Sequence, residues 1–187
     1  MALSRQDVID AALGILDEYG LADLTMRRLA DNLQVQASAL YWHVKNKQSL
    51  LAELVRCILD DLPEPSGPWR TGIASWAAQL RERLMRHRDS ADLVASMRAL
   101  GLAATDLDDG PAALLRTAGL SEQQASLASQ TLVHLVLGHV YEEQQRVQLA
   151  PLTGADADEE AARAAGQDFD GGVQILLAGI ASSFATV

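Results

Sequence analysis

Apolar residues recur every three or four positions along most of the chain, which is the pattern of helices that bury one face. In the first such run, Ser4 and Asp7 have capping-box spacing and Gly20 stops the helical period, so a first helix is predicted over about 5–19. The same pattern predicts three more helices in the first sixty residues: one from Thr25 to near Gln34, one over about 36–43, and one that starts at Asn46.

The segment "DDLPEPSGP", residues 60–68, interrupts this pattern, because its prolines and glycine cannot continue a helix. Beyond it, helices are predicted over about 69–88, 90–101, 112–118 and 121–148, with a last one from about Asp170. The stretch "APLTGADADEE" is rich in small and polar residues and is expected to form a loop. About nine to ten helices, with β-branched runs scarce, predict an all-α fold.

The last helix is apolar on more than one face. One apolar stripe consists of Val173, Leu176, Leu177, Ile180 and Phe184. Ile175 lies outside that stripe, so either a second subunit covers it or the helix is fully buried within its own chain. In the first case Gly138 and Gly179 would allow two helices to approach closely.

The composition indicates which cellular compartment and which kinds of site the protein can have. The single cysteine, Cys57, excludes an internal disulfide and a cysteine-based metal cluster, which fits a reducing compartment. No apolar run approaches the ~18 residues of a membrane span, and the first ten residues lack the pattern of a signal peptide. A cytoplasmic protein is expected.

Charge is unevenly distributed along the chain. The formal net charge is −10, which would disfavour nucleic acid as a partner. Between residues 24 and 50, however, Arg27, Arg28, Lys45 and Lys47 outnumber the single acid Asp31, and these two lysines are the only ones in the sequence. A basic stretch on an acidic protein indicates a directed binding surface.

Within this stretch lies the octet "LYWHVKNK", residues 40–47, which groups aromatic rings with both lysines. If residues 36–43 are helical and Leu40 faces the core, Trp42 falls on the opposite side and is predicted to project outward beside Tyr41. The alternative is that the indole packs on the first or fourth helix as ordinary core.

The second and third helices have helix-turn-helix spacing, with Ala30 at their close approach, Val35 in the turn and Leu40 as apolar anchor. The start of the third helix would enter the major groove, where small side chains suit contact with thymine methyl groups. Arg27 would either read a guanine or contact a phosphate, and the aromatic residues and Lys47 would donate to phosphate oxygens. The predicted DNA-contacting residues are Thr25, Arg27, Ala37, Ser38, Ala39, Tyr41, Trp42, His43 and Lys47.

The stretch "LTMRRLADNLQVQASALYWHVKNKQSLLAEL" resembles the DNA-binding domain of the TetR family, in particular its tetracycline-repressor subclass. The similarity is weaker but traceable through "HRDSA" and "VLGHVYEEQQ". It implies a helix-turn-helix domain over 1–46 and a ligand-binding and dimerisation domain over 47–187, with helix four, 47–60, connecting the two. It also implies a homodimer held by the last two long helices of each subunit, a palindromic operator, and release by a small molecule.

Where tetracycline-binding members place histidines on helices four and six, this chain has Pro63 and Val94, so a tetracycline–magnesium inducer is not expected. By position, the resemblance assigns ligand contacts to Trp76, Leu80, Val94, Met97, His134, Leu137, Tyr141 and Glu142, a mostly apolar set of which each could equally be core. No cofactor and no metal site are predicted. His139 and Glu143, one helical turn apart, supply only two ligands.

Other functional classes remain as alternatives. The sequence has no glycine-rich phosphate loop, no HExxH and no nucleophile-elbow pattern, so an enzyme is not expected. A helical adaptor could use the surface of Tyr41 and Trp42 to bind protein, and a TetR-type regulator could activate rather than repress. Salt dependence separates DNA from protein as partner, because phosphate contacts weaken steeply with ionic strength.

Overall fold

The computed structural model describes residues 3–102, 106–153 and 159–183, and within these ranges the chain forms nine helices and no strand. The predicted all-α fold is confirmed. The helices are α1 Arg5–Tyr19, α2 Met26–Asn32, α3 Ala37–Leu40, α4 Lys47–Ile58, α5 Trp69–Met85, α6 Ser90–Ala99, α7 Asp109–Thr117, α8 Glu122–Thr153 and α9 Glu159–Ser183.

The ends of α1 are set by the residues that the sequence indicated. The Ser4 side chain accepts a hydrogen bond from the Asp7 amide, and the Asp7 carboxylate accepts one from the Ser4 amide, which completes the capping box. At the other end Gly20 has φ +88° and donates its amide to the Leu16 carbonyl. Residues that carry a side chain rarely adopt that backbone conformation, so glycine ends the helix here.

Several predicted boundaries are wrong, among them the end of α5, which lies at Met85 and not near 88, and the start of α7, which lies at Asp109 and not near 112. The helical part of α3 ends at Leu40 and not near 43, because residues 41–43 form a turn. Helix α8 continues to Thr153, through Pro151, where a loop was expected to have begun. Helix α9 begins at Glu159 and not near 170, because "EEAARAAGQDF" is rich in good helix formers. Residues 154–158 of the expected loop and Phe184 of the predicted apolar stripe lie outside the described ranges.

The chain divides into two compact units. The first comprises Met1–Asp60 together with Leu84–Thr105, so that it contains α1 to α4 and α6. Helix α1 packs on α2 and α4, and α4 packs on α6. The core of this unit is apolar and fully enclosed, with Val8, Leu16, Leu29, Leu40, Leu54 and Leu93 among its buried side chains.

The second unit comprises Asp61–Arg83 and Asp106–Val187. Helix α8 contacts both α7 and α9, and their buried side chains include Leu132, Val136, Val140, Phe169 and Leu177. On α9, Ile175 is 77% exposed while Val173 is buried, so the alternative of a fully buried last helix is wrong for the single chain. No helix in the described ranges is long and apolar enough to cross a membrane.

Candidate nucleic-acid interface

Helices α2 and α3 and the turn between them form the predicted helix-turn-helix. The Thr25 side chain caps α2 by accepting from the Arg28 amide at 3.1 Å. The turn closes through the Val35 amide, which donates to the Ala30 carbonyl at 3.0 Å, and Gln34 takes a left-handed conformation with φ +55°. The small, buried Ala30 lets the turn and the two helices approach closely.

Helix α3 is anchored by Leu40, which is completely buried, and presents small side chains on its other sides. Ala37 and Ser38 are exposed, and Ala39 is half-buried. Nothing on this surface projects far from the backbone. Such a helix can approach the floor of a groove closely and meet methyl groups by apolar contact.

The turn after α3 holds two aromatic rings in solvent. The amides of His43 and Val44 both donate to the Leu40 carbonyl, at 2.9 and 3.0 Å, and buried Val44 fixes the turn to the core. Tyr41 is 53% exposed and Trp42 is 89% exposed. The prediction that the indole projects outward is confirmed, and the alternative that it packs on α1 or α4 is wrong.

The two adjacent arginines of α2 have different surroundings. The Arg28 guanidinium lies 4.4 Å from the centre of the Tyr19 ring and pairs with the Asp23 carboxylate at 2.8 Å. Arg27 is exposed, and no ion pair involving it occurs in the described part of the chain. Arg27 is therefore the arginine whose donors are available to an external partner. This difference has no signature in the sequence, because no helical spacing rule relates Asp23 to Arg28.

The start of α4 adds a positively charged edge beside the rings. Asn46 caps the helix by accepting from the Ser49 amide at 2.8 Å, while the Ser49 hydroxyl accepts from the Asn46 amide at 3.1 Å. Lys47 is the first residue of this twelve-residue helix, where the helix dipole also favours an anion. Lys45 is exposed in the preceding turn. Aromatic donors and cations thus share one edge of the unit.

The residues predicted as ligand contacts divide by burial. Trp76 and Leu80 on α5, Val94 and Met97 on α6, and Leu137 on α8 are buried, whereas His134, Tyr141 and Glu142 on α8 are exposed. The next residue, Glu143, is buried and binds Arg81. Their roles in binding a ligand stay predictions.

A cavity of about 330 Å³ lies within the second unit, beside the first turns of α5. Its lining includes Pro63, Glu64, Ser75, Trp76 and Gln79, so Trp76 from the predicted ligand set contributes to its wall. In the described ranges, no three His, Cys, Asp or Glu side chains are grouped so that they could hold a metal ion.

Known proteins match both parts of the chain. Residues 8–54 match the family described as bacterial regulatory proteins, tetR family, and residues 62–169 match the tetracyclin repressor-like C-terminal domain. The class E tetracycline repressor of Escherichia coli is 37% identical over 156 residues, which cover 79% of this chain and 72% of that repressor.

Solved structures share the fold over nearly the whole length. The crystal structure of Mycobacterium smegmatis BioQ has a TM-score of 0.86 and 36% identity, with 97% of this chain and 99% of that chain covered. A structure of BioQ with its natural double-stranded DNA operator has a TM-score of 0.80 and 35% identity, with 96% and 99% covered. The relatives are transcriptional regulators and not enzymes. Since both of its parts match, this chain belongs to the TetR family, whose members are ligand-responsive transcriptional regulators that bind DNA.

Proposed function

We propose that the protein is a homodimeric repressor that binds a palindromic operator and is released by a small, largely apolar molecule other than tetracycline. The observation that carries the DNA-binding part is the outward indole of Trp42, 89% exposed and adjoining both α3 and the cationic start of α4. A ring with an N–H donor in this position suits a sugar-phosphate backbone. A protein that acts on bacterial DNA works in the cytoplasm, which is the location proposed here.

The proposed contacts divide between bases and backbone. Ala37, Ser38 and Ala39 would enter the major groove with α3, and Arg27, which has no ion pair among the described residues, would reach a guanine or a phosphate. Thr25 and the side chains of Tyr41, Trp42, His43 and Lys47 would contact the backbone and fix the register of α3. In a dimer, the two copies of α3 would enter successive grooves about 34–36 Å apart, which requires a palindromic site.

Exposed apolar and small residues on α8 and α9 support the proposed dimer. On α8, Leu127 and Tyr141 are exposed at helical spacing, and on α9 Ile175 is exposed and is not covered by the described part of its own chain. A Cβ added at Gly138 or Gly179 would meet nothing within 4 Å. Two apolar helix faces with glycines that permit close approach match a four-helix interface between subunits.

The inducer is proposed to differ from tetracycline because of two positions. Pro63 lines the cavity near α5, and Val94 is buried among apolar residues of α6, so neither supplies the imidazole that the resemblance would require for chelated magnesium. Helix α6 packs on α4 within the first unit. A ligand that displaces α6 would therefore move α4 and change the distance between the two copies of α3 in the dimer.

The test begins with selection of duplexes from a random pool, followed by titration of the enriched duplex at several salt concentrations. We expect a palindromic consensus and affinity that falls steeply with salt, because binding releases counterions. Lys47→Ala should reduce the slope of log affinity against log salt by about one unit. The matched control is Arg70→Ala, which removes one exposed cation from α5 and should leave the slope unchanged.

Three outcomes would contradict parts of the proposal. If no duplex is enriched, DNA binding is refuted, and if Lys47→Ala leaves the slope unchanged, the phosphate contact of Lys47 is refuted. If salt barely affects binding, the surface of Tyr41 and Trp42 would fit a protein partner better. A reporter driven by the selected operator then decides the sign of regulation, since an increase on expression of the protein would show activation in place of repression.

A further inference from the structure

Two turns that are distant in sequence are joined in the first unit. One is the α1–α2 corner, residues 20–24, which leads directly into α2, and the other is the α5–α6 turn, residues 86–89, which leads into α6. The Asp89 carboxylate accepts a hydrogen bond from the Leu21 amide at 2.8 Å. This bond spans 68 positions of the sequence and ties the start of α6 to the corner before the helix-turn-helix.

The same turn also holds the end of α1. The Arg88 guanidinium donates to the Glu18 carbonyl at 3.1 Å, where the last carbonyls of a helix attract a cation. The Arg88 amide donates to the Asp17 carboxylate at 3.2 Å, and His87 Nδ1 lies 3.1 Å from the same carboxylate. The α5–α6 turn therefore contacts α1 and the corner through backbone and side-chain groups together.

Asp89 is unusual in its own helix. It occupies the N-cap of α6, a position that Asp favours because its carboxylate can bond the first helical amides, yet it makes no such bond. Its φ is +53°, a left-handed conformation that Asp adopts more readily than most residues other than glycine. The carboxylate that would cap α6 is directed to Leu21. The Asp89 carboxylate therefore bonds the distant corner, although it stands at the N-cap of its own helix.

The corner is shaped to receive this carboxylate. A Cβ at Gly20 would lie 2.6 Å from Asp89 Oδ2 and 3.2 Å from Arg88 Nε, closer than atoms normally approach. Gly20 also has φ +88°. Glycine at this position therefore meets both requirements, the left-handed turn and the space for Asp89.

We propose that Asp89 is a positioning residue for operator recognition: through Leu21 it fixes the α1–α2 corner, so that the pose of α2 and α3 depends on the α5–α6 turn. Asp89 itself would not contact DNA. This link is separate from the packing of α6 on α4. It gives a ligand-induced movement of α6 a second connection to the helix-turn-helix. The inference rests on the proposed DNA-binding function.

The experiment compares Asp89→Ala and Asp89→Asn with Asp92→Ala, a control that removes an exposed carboxylate from the first turn of the same helix. Each variant is titrated with the selected operator and with an unrelated duplex at low salt, and exchange of the Leu21 amide is followed by NMR. For Asp89→Ala we expect roughly tenfold loss of operator affinity, faster Leu21 exchange, and little change in affinity for the unrelated duplex. Asp89→Asn retains an acceptor oxygen, so it should keep most of the operator affinity and most of the protection of the Leu21 amide.

A purely structural role would lower both affinities together, in proportion to the unfolded fraction measured by circular dichroism, and that result would overturn the inference. So would operator affinity of Asp89→Ala equal to that of Asp92→Ala. If Asp89→Ala does not fold, Asp89→Asn decides the question. We expect Asp89→Asn to keep the Leu21 amide protected and to prefer the operator over the unrelated duplex as strongly as the unmodified protein does. Loss of that preference while the Leu21 amide stays protected would contradict the link. If the unmodified protein binds no duplex, the proposed function itself fails, which is distinguishable from all these results.

Discussion

Glu143 is the acid whose removal we expect to damage the second unit most. It is 5% exposed on α8, and its carboxylate accepts two hydrogen bonds from the Arg81 guanidinium of α5, at 3.0 and 2.7 Å. The guanidinium lies 5.4 Å from the centre of the Phe169 ring of α9. On the other side His139 Nε2, which donates to the Ala165 carbonyl at 2.9 Å, lies 3.4 Å from the carboxylate. The pair thus joins three helices.

The magnitude follows from the burial of the two partners. Breaking a buried ion pair by removing one member costs about 3–5 kcal/mol, because the other charge stays desolvated without compensation. Arg81 is 24% exposed and can recover some hydration, so Glu143→Ala should lower the free energy of unfolding by about 2–3 kcal/mol. Since domains have about 5–15 kcal/mol in total, this is a large fraction.

Urea unfolding followed by circular dichroism, at one fixed protein concentration because of the proposed dimer, measures this loss. The control is Glu122→Ala, which breaks the exposed Arg116–Glu122 pair of similar distance, 2.7 Å, and should cost less than about 1 kcal/mol. A double-mutant cycle with Arg81→Met should give a favourable coupling energy. A loss for Glu143→Ala no larger than that for Glu122→Ala, or a coupling energy of zero, would show that the buried pair does not stabilise the second unit.

Three smaller predictions concern packing and titration. Gly72→Ala should lower the free energy of unfolding by about 1–3 kcal/mol, because the added Cβ would overlap a backbone oxygen. Gly14→Ala, on the open side of α1, should raise the free energy of unfolding by up to about 1 kcal/mol. Equal urea midpoints for the two variants would contradict this. Desolvation raises the pKa of the Cys57 thiol above its usual 9.0, so its reaction with a disulfide reagent should be slow at pH 7, accelerate about tenfold per pH unit as thiolate forms, and level off only above pH 9. A rate that levels off below pH 9 would argue against the raised pKa. Hydrogen bonds from the Ser4 hydroxyl and amide lower the pKa of Asp7 below 3.8, so the stability it contributes is present above that pH and lost as pH falls through the lowered value; NMR titration should show the pKa rising toward 3.8 in Ser4→Ala.

Features set by neighbouring residues were predictable from the sequence. The capping box of Ser4 and Asp7 and the stop at Gly20 located α1, because caps and helix ends are local chemistry. The outward indole of Trp42 followed from a helical wheel centred on Leu40, although residues 41–43 proved to be a turn, because the turn bonds keep the ring directed away from the core.

Features made by residues distant in sequence were not predictable. Nothing in the local pattern indicates that Asp89 would bond Leu21 and not cap its own helix, since the two lie 68 positions apart. Likewise the sequence did not distinguish Glu142 from Glu143 by burial, because that depends on where α5 places Arg81. The early start of α9 was missed because its first turns are alanine-rich and carry no strong apolar period.

If the exposed ring of Trp42 lies against DNA in the complex, operator DNA should shield its fluorescence from quenching by acrylamide. Trp42 is 89% exposed, Trp69 is half-buried and Trp76 is buried, so most quenchable emission of the free protein should come from Trp42 and be absent in Trp42→Phe. Saturating the unmodified protein with the selected operator should protect this emission from acrylamide. Quenching of Trp42 that is as strong in the DNA complex as in the free protein would show that the ring does not lie against DNA.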